Sequence, residues 1–218
     1  MNSTDMFARL MRELSFFGYL GSLVEIEQQM GGELWLFGGW VRAAAIGAPR
    51  YAGDLDCIVV NPDSSAQSER LTTNFFGGLR IGLEDGNHVD ITTLTTGNGR
   101  EVVDVLQTFD ISANAVAFRL SDGAVVALDG SLDDLRNRTV RVRKQQTNGV
   151  TSRQADVLFA ADALIAMDGF TPAMDRSTVD TLDELRQRQE RFQRGTSQSL
   201  LSDGAEAIRD LVPQGSPS

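Results

Sequence analysis

The sequence predicts an α+β fold: a small mixed β-sheet with flanking helices, followed by a helical neck. Three observations lead there. Apolar residues recur at helical spacing near the N-terminus. Short apolar runs bounded by turn residues recur between positions 33 and 142. Beyond about 145–150 the pattern becomes helical. The expected division is 1–146 for the mixed part, 147–212 for the helical part and 213–218 for a tail.

Residues 5–30 carry Met6, Leu10, Leu14, Phe17 and Leu20 at three- and four-residue steps, and Gly18 and Gly21 are expected to split them into two helices. Glu33–Phe37 is a buried-strand pattern, Trp40–Ile46 a helix that Gly47 stops, and Leu55–Val60 a second strand ended by Asn61, Pro62 and Asp63. Residues 65–76 read as helix. Leu79–Leu83 and His88–Leu94 read as a hairpin around Glu84–Asn87, and residues 100–107 as a helix. Ala113–Leu120 and Ala124–Leu128 form a second expected hairpin, followed by a short helix at Gly130–Arg136 and a strand at Thr139–Val142. Residues 151–168 repeat Val157, Leu158, Ala161, Leu164 and Ile165 on one helical face, and 175–194 is a helix with mixed charges on a solvated face. The whole span 151–211 is expected to be helical.

Composition bounds the chemistry. The chain has 218 residues with 30 acidic against 20 basic, a net charge of −10. Such a chain is a poor general ligand for duplex DNA or anionic membrane, since phosphate neutralisation needs clustered cations. A single cysteine, Cys57, excludes an internal disulfide or a Cys-rich zinc site, and a single histidine, His88, excludes a multi-histidine one. Carboxylates are left to carry any catalysis. The N-terminus lacks a signal-peptide pattern, and no run approaches the roughly 18 apolar residues of a membrane span, so a cytoplasmic location is expected.

Three features carry potential chemistry. Gly38-Gly39 lies between a strand and a helix, where backbone N–H groups and the helix dipole suit a triphosphate; alone it is a tight turn. Asp54 and Asp56 flank Leu55, so both side chains face one side of a strand. Two facing carboxylates repel unless a cation lies between them, and Mg²⁺ favours such oxygens; alone the pair is a solvated strand end. Asp90 alternates with Val89 and Ile91 and faces either water or a polar site. Cys57 reads as core, His88 as an exposed strand end, and Trp35 and Trp40 as packing residues.

In order, strand, Gly-Gly, helix, Asp-x-Asp and a later strand acid resemble the nucleotidyltransferase superfamily of DNA polymerase β. The resemblance is to the head domain of class II CCA-adding enzymes and bacterial poly(A) polymerases. Leu36–Gly47 followed by Asp54-Leu55-Asp56 matches the family's Gly-Gly-x-Val-Arg-Asp, helix, Gly and Asp-x-Asp. Phe109–Ala117 resembles Arg-Arg-Asp-Phe-Thr-Ile-Asn-Ala, and Asp129–Arg141 resembles Gly-x-x-Asp-Leu followed by Ile-Arg. The resemblance implies a nucleoside triphosphate substrate and Mg²⁺ or Mn²⁺ held by Asp54, Asp56 and Asp90, with Asp90 also taking the attacking hydroxyl's proton. It further implies nucleotide binding by Gly38, Gly39, Arg42, Asp110 and Asn114. The acceptor is left open among an RNA end, a protein and a small molecule, as is the oligomeric state.

The departures matter too. Ala43 replaces the Asp after Val-Arg, Thr108-Phe109 replaces the paired Arg, and the expected neck has no base-selecting Arg motif beyond Arg153. The resemblance stops before the family's tRNA-gripping body and tail, so CCA addition is not expected. A catalytically inactive relative, kept as a binding or structural module, is the alternative.

Overall fold

The computed structural model describes residues 2–47, 54–63, 71–73, 78–83 and 85–143, then 161, 164–165, 169–173, 178–180, 182–184, 186–187 and 190–191. Helix α1 (Ser3–Phe16) opens on a capping box, in which the Asn2 side chain accepts from the Asp5 amide at 2.8 Å. Met6, Leu10 and Leu14, one per turn, are its buried stripe. Gly18, at φ +77°, turns the chain into α2 (Tyr19–Met30); a left-handed residue is where glycine costs least. Gly21 remains inside α2, so only one of the two glycines breaks the helix.

Seven strands form one sheet: β1 (Glu33–Phe37), β2 (Leu55–Val60), β3 (Leu71–Thr73), β4 (Leu79–Gly82), β5 (His88–Leu94), β6 (Val116–Arg119) and β7 (Val125–Ala127). Their order is β3-β4-β5-β2-β1-β6-β7. Every neighbouring pair is antiparallel except β2 and β5, which run parallel at the centre. Helix α3 (Gly38–Ala45) connects β1 to β2.

Side-chain alternation divides the sheet into two faces. Leu34, Leu36, Leu55, Cys57, Val59, Val89 and Ile91 share one core with the buried stripes of α1, α2 and α3. Trp35, Phe37, Ile58, Val60 and Leu94 face the other way, against Val102 and Leu106 of α4 (Val102–Leu106). Cys57, Trp35 and Trp40 are buried packing residues, as expected; Trp40 stacks edge-on with Phe17 and Tyr19.

Helix α5 (Ser131–Asn137) leads to the short strand β8 (Thr139–Val140). Residues 161, 164–165, 178–180, 182–184, 186–187 and 190–191 are helical, and Ala161, Leu164 and Leu182 are buried in the main core. The helical part thus packs against the sheet domain.

Three expectations need correction. Leu71–Thr73 is strand, where helix was expected over 65–76; the β-branched pair Thr72 and Thr73 fits an extended edge better, and 64–70 and 74–77 lie outside the described residues. Residues 113 and 114, expected as the start of a strand, belong to a 3-10 turn (Ser112–Asn114) closed by the Ala115 amide on the Ser112 carbonyl at 2.8 Å. The span 151–211 is not wholly helical. Strand β9 (Thr171–Pro172) pairs in parallel with β8; Gly169, at φ +66°, is outside helical backbone and Pro172 has no amide N–H for a helix. In the charged span 175–194, Arg186 pairs with Asp183 at 3.9 Å. The 213–218 tail lies outside the described residues. Among the described residues, no helix is long and apolar enough to cross a membrane.

Candidate active site

The central parallel pair builds the site. Its register sets Asp56 beside Asp90 and Leu55 beside Val89. One step back along both strands, Asp54 meets His88. Period-two alternation puts all four on one face, continuous with the α4 side of the sheet. The antiparallel β4–β5 hairpin then places Arg80 opposite Asp90.

Asp90 accepts two hydrogen bonds from Arg80, Nε to Oδ1 and Nη2 to Oδ2, both at 2.7 Å. This bidentate fork is the geometry in which guanidinium and carboxylate bind best. The same Nη2 lies 3.9 Å from Asp54 Oδ2. His88 Nε2 sits 2.7 Å from Asp54 Oδ1 and 3.9 Å from Asp90 Oδ2. That nitrogen is buried and, despite the short approach, makes no hydrogen bond. His88 is therefore not the exposed strand end that the sequence suggested. Its parity with Asp90 turns it into the site.

Asp56, like Asp90, is half-buried, whereas Asp54 is exposed. Burial first, and then the Asp90 and Asp54 charges, push the Asp56 carboxyl up to about 7, with Arg80 pulling the other way. Beside it, Gly38 begins α3 at φ +85°, and a Cβ there would overlap the Asp56 carboxylate, approaching its Cγ to 3.2 Å. The glycine leaves Asp56 an open cradle next to the helix N-terminus. Gly39 has more room, with only the Arg42 guanidinium 3.9 Å from where a Cβ would stand.

The nucleotide-binding candidates fall into two groups. Arg42 donates to Asn114 Oδ1, joining α3 to the 3-10 turn Ser112–Asn114. That turn is itself anchored: Ser112 donates to buried Asp134 at 2.6 Å, and Arg141 Nε donates to the same Asp134 oxygen at 3.0 Å. Asp110 holds the Arg143 amide through its backbone carbonyl at 2.7 Å. Phe109, at the position of a family Arg, packs edge-on against Phe37 at 5.4 Å between ring centres, and Ala43 is buried in α3. Both departures thus serve the core.

The donor set fits a divalent cation. Asp54, His88 and Asp90 each offer one ligand atom, all within 4.8 Å of one another. Ligands at about 2.0–2.6 Å from a shared ion have that spacing. Sequence reading missed Arg80 and His88. His88 was reachable, two residues before Asp90 on the same strand. Arg80 was not, because counting outward from Glu84–Asn87 sets Ile81 against Asp90, whereas Gly82 pairs with His88 and Leu83 joins the loop, which brings Arg80 opposite Asp90.

No family model and no curated protein matches the sequence. Solved structures do match the fold. A Thermotoga maritima CCA-adding enzyme complexed with tRNA aligns with TM-score 0.56 and 20% identity, over 84% of this chain and 44% of that one. A CCA-adding enzyme with CTP aligns with TM-score 0.54 and 20% identity, over 81% and 42%. A tRNA nucleotidyltransferase with a primer tRNA and an incoming ATP analog aligns with TM-score 0.51 and 18% identity, over 76% and 50%. The chain spans less than half the length of the first two. Its mixed seven-stranded sheet with flanking helices is the nucleotidyltransferase head fold found in the CCA-adding enzymes.

Proposed function

We propose that the chain is a metal-dependent nucleotidyltransferase that moves a nucleoside monophosphate from a nucleoside triphosphate to a hydroxyl acceptor. One observation carries this reading. The register of β2 and β5 sets Asp54, Asp56 and Asp90 on one face, beside the glycine that opens α3. Asp54, Asp56 and Asp90 hold the cation. A bound divalent ion supplies positive charge against the acids and the departing pyrophosphate. Gly38 and Gly39 offer backbone N–H groups to the phosphates, and the Arg42–Asn114 pair with Asp110 orients the nucleotide. The acceptor oxygen forms a bond to the α-phosphorus, the bond to the β-phosphate oxygen breaks, and the hydroxyl proton passes to Asp90. For that role, Arg80 must release an Asp90 oxygen. The acceptor is a hydroxyl on RNA, on a protein or on a small molecule; a net charge of −10 argues against a broad grip on RNA.

A second reading has its own observation. Arg80 neutralises Asp90 without any metal, so the clustered acids can persist in a protein that performs no chemistry. Transfer of label from α-³²P nucleoside triphosphates, with Mg²⁺ or Mn²⁺, tests the two. RNA, protein and small-molecule pools serve as acceptors. The enzyme reading expects labelled acceptor from wild type and loss of at least a hundredfold in Asp56→Asn, of the order seen when charge stabilisation is removed. No label with any triphosphate supports the inert module.

A further inference from the structure

We propose that His88 is a ligand of this same metal seat and selects a first-row transition ion such as Mn²⁺ over Mg²⁺. The proposal rests on the transferase reading above and names the ion class that the site takes. It starts from register. Asp54, just before β2, and His88, the first residue of β5, lie two residues back from the Asp56–Asp90 pair, and their side chains approach to 2.7 Å, so the imidazole belongs to the acid rectangle. The Nε2 atom is removed from solvent and makes no hydrogen bond, yet lies 2.7 Å from Asp54 Oδ1 and 3.9 Å from Asp90 Oδ2. Two neighbouring ligands on one octahedral ion lie about 3 Å apart. A shift of a few tenths of an ångström at Asp54 would therefore seat an ion between the nitrogen and the carboxylate.

Arg80 sharpens the choice. Both Asp90 oxygens are already engaged at 2.7 Å by its guanidinium. An arriving ion thus meets fewer open carboxylate oxygens than three aspartates suggest, and the imidazole makes up the shortfall. It adds a donor atom without adding to the negative charge already crowded around Asp56. Mg²⁺ favours an all-oxygen octahedral shell and gives up its waters reluctantly. Imidazole nitrogen suits the transition ions. Among the described residues, Asp54, His88 and Asp90, two carboxylates and one imidazole, already have ligand atoms within 4.8 Å of one another.

The test uses the full chain, stripped of metal and titrated with Mn²⁺ alone. Spin-echo spectroscopy of the bound Mn²⁺ should show coupling to a directly ligated ¹⁴N. Calorimetry should give at least roughly tenfold tighter binding of Mn²⁺ than of Mg²⁺. His88→Ala should remove the nitrogen coupling and weaken Mn²⁺ binding by roughly tenfold to a hundredfold, while Mg²⁺ affinity changes less than about twofold. His88→Asn guards against a folding artefact and should behave likewise. Bound Mn²⁺ with no nitrogen coupling, or equal Mn²⁺ loss and Mg²⁺ loss in both variants, overturns the role of His88 and leaves the transferase reading standing. If wild type binds neither ion, with or without triphosphate, both fall.

Discussion

At the residue scale, Asp56 sits where burial and two neighbouring carboxylates all oppose its charge and push its carboxyl up to about 7. A folded-state value above the unfolded one of about 3.9 means that the native state holds the proton more tightly. The stability this confers is complete below about pH 4, falls as pH rises and is gone above about 7. Asn mimics the protonated acid at every pH. In the presence of a chelator, Asp56→Asn should therefore match wild type near pH 4 and become more stable as pH rises. The gain should level off above pH 7 at roughly a few kcal/mol. Melts from pH 4 to 8 check this; a variant less stable than wild type at pH 8 would make Asp56 a structural residue. The i,i+2 placement of Asp54 and Asp56 was legible from alternation alone. Their meeting with Asp90 was not, because a parallel pairing between strands separated by 27 intervening residues leaves no local mark. It came from the family resemblance. His88 and Arg80 were missed for a related reason: each acquires meaning only opposite a partner, and neither belongs to the motifs compared.

At the element scale, the turn from β1 into α3 is the joint that sets the site. Gly38 carries both a positive φ and the space that the Asp56 carboxylate occupies. Gly38→Ala should cost about 1–3 kcal/mol through strain and contact together, and should abolish the metal-dependent rise in melting temperature. Gly39→Ala, with nothing nearer than 3.9 Å, should cost less than half as much. Equal losses in the two variants would remove the argument for a cradle at Gly38. The elements with a clean period were legible: α1, α2, β1, β2, β5 and the β4–β5 hairpin fall within a few residues of their expected bounds. The three-residue β3 and the two-residue β9 were not. Such short strands owe their existence to a partner edge, through ladder bonds such as Ala173 N–H to the Val140 carbonyl at 2.7 Å, rather than to their own composition.

At the scale of the whole molecule, the helical part and the sheet domain share one core. Ala161 and Leu164 are fully or nearly fully buried in the cluster that includes α1, α3 and the sheet, and β9 ties the chain to β8. Leu164→Ala, far from the acids in sequence, should destabilise the sheet domain by about 2–5 kcal/mol. It should lower a single unfolding transition seen alike by near-UV and far-UV dichroism. A separate early transition, with the sheet signal unchanged, would show the helices to be an independent unit.

The central claim is that the acid rectangle exists to hold a cation and a triphosphate. Because the acceptor is unidentified, ligand-induced stabilisation tests it more directly than turnover. Wild type and Asp56→Asn are melted at pH 7.5 with chelator, with Mg²⁺ or Mn²⁺ alone, and with each ion plus each nucleoside triphosphate. Ligand at a hundred times its dissociation constant stabilises the folded state by about 2.7 kcal/mol. In a chain of this size that corresponds to a rise of roughly 5–10 °C. The account predicts such a rise in wild type with ion and triphosphate together, and none in Asp56→Asn. No rise in wild type with any pair, or an equal rise in both proteins, would contradict it.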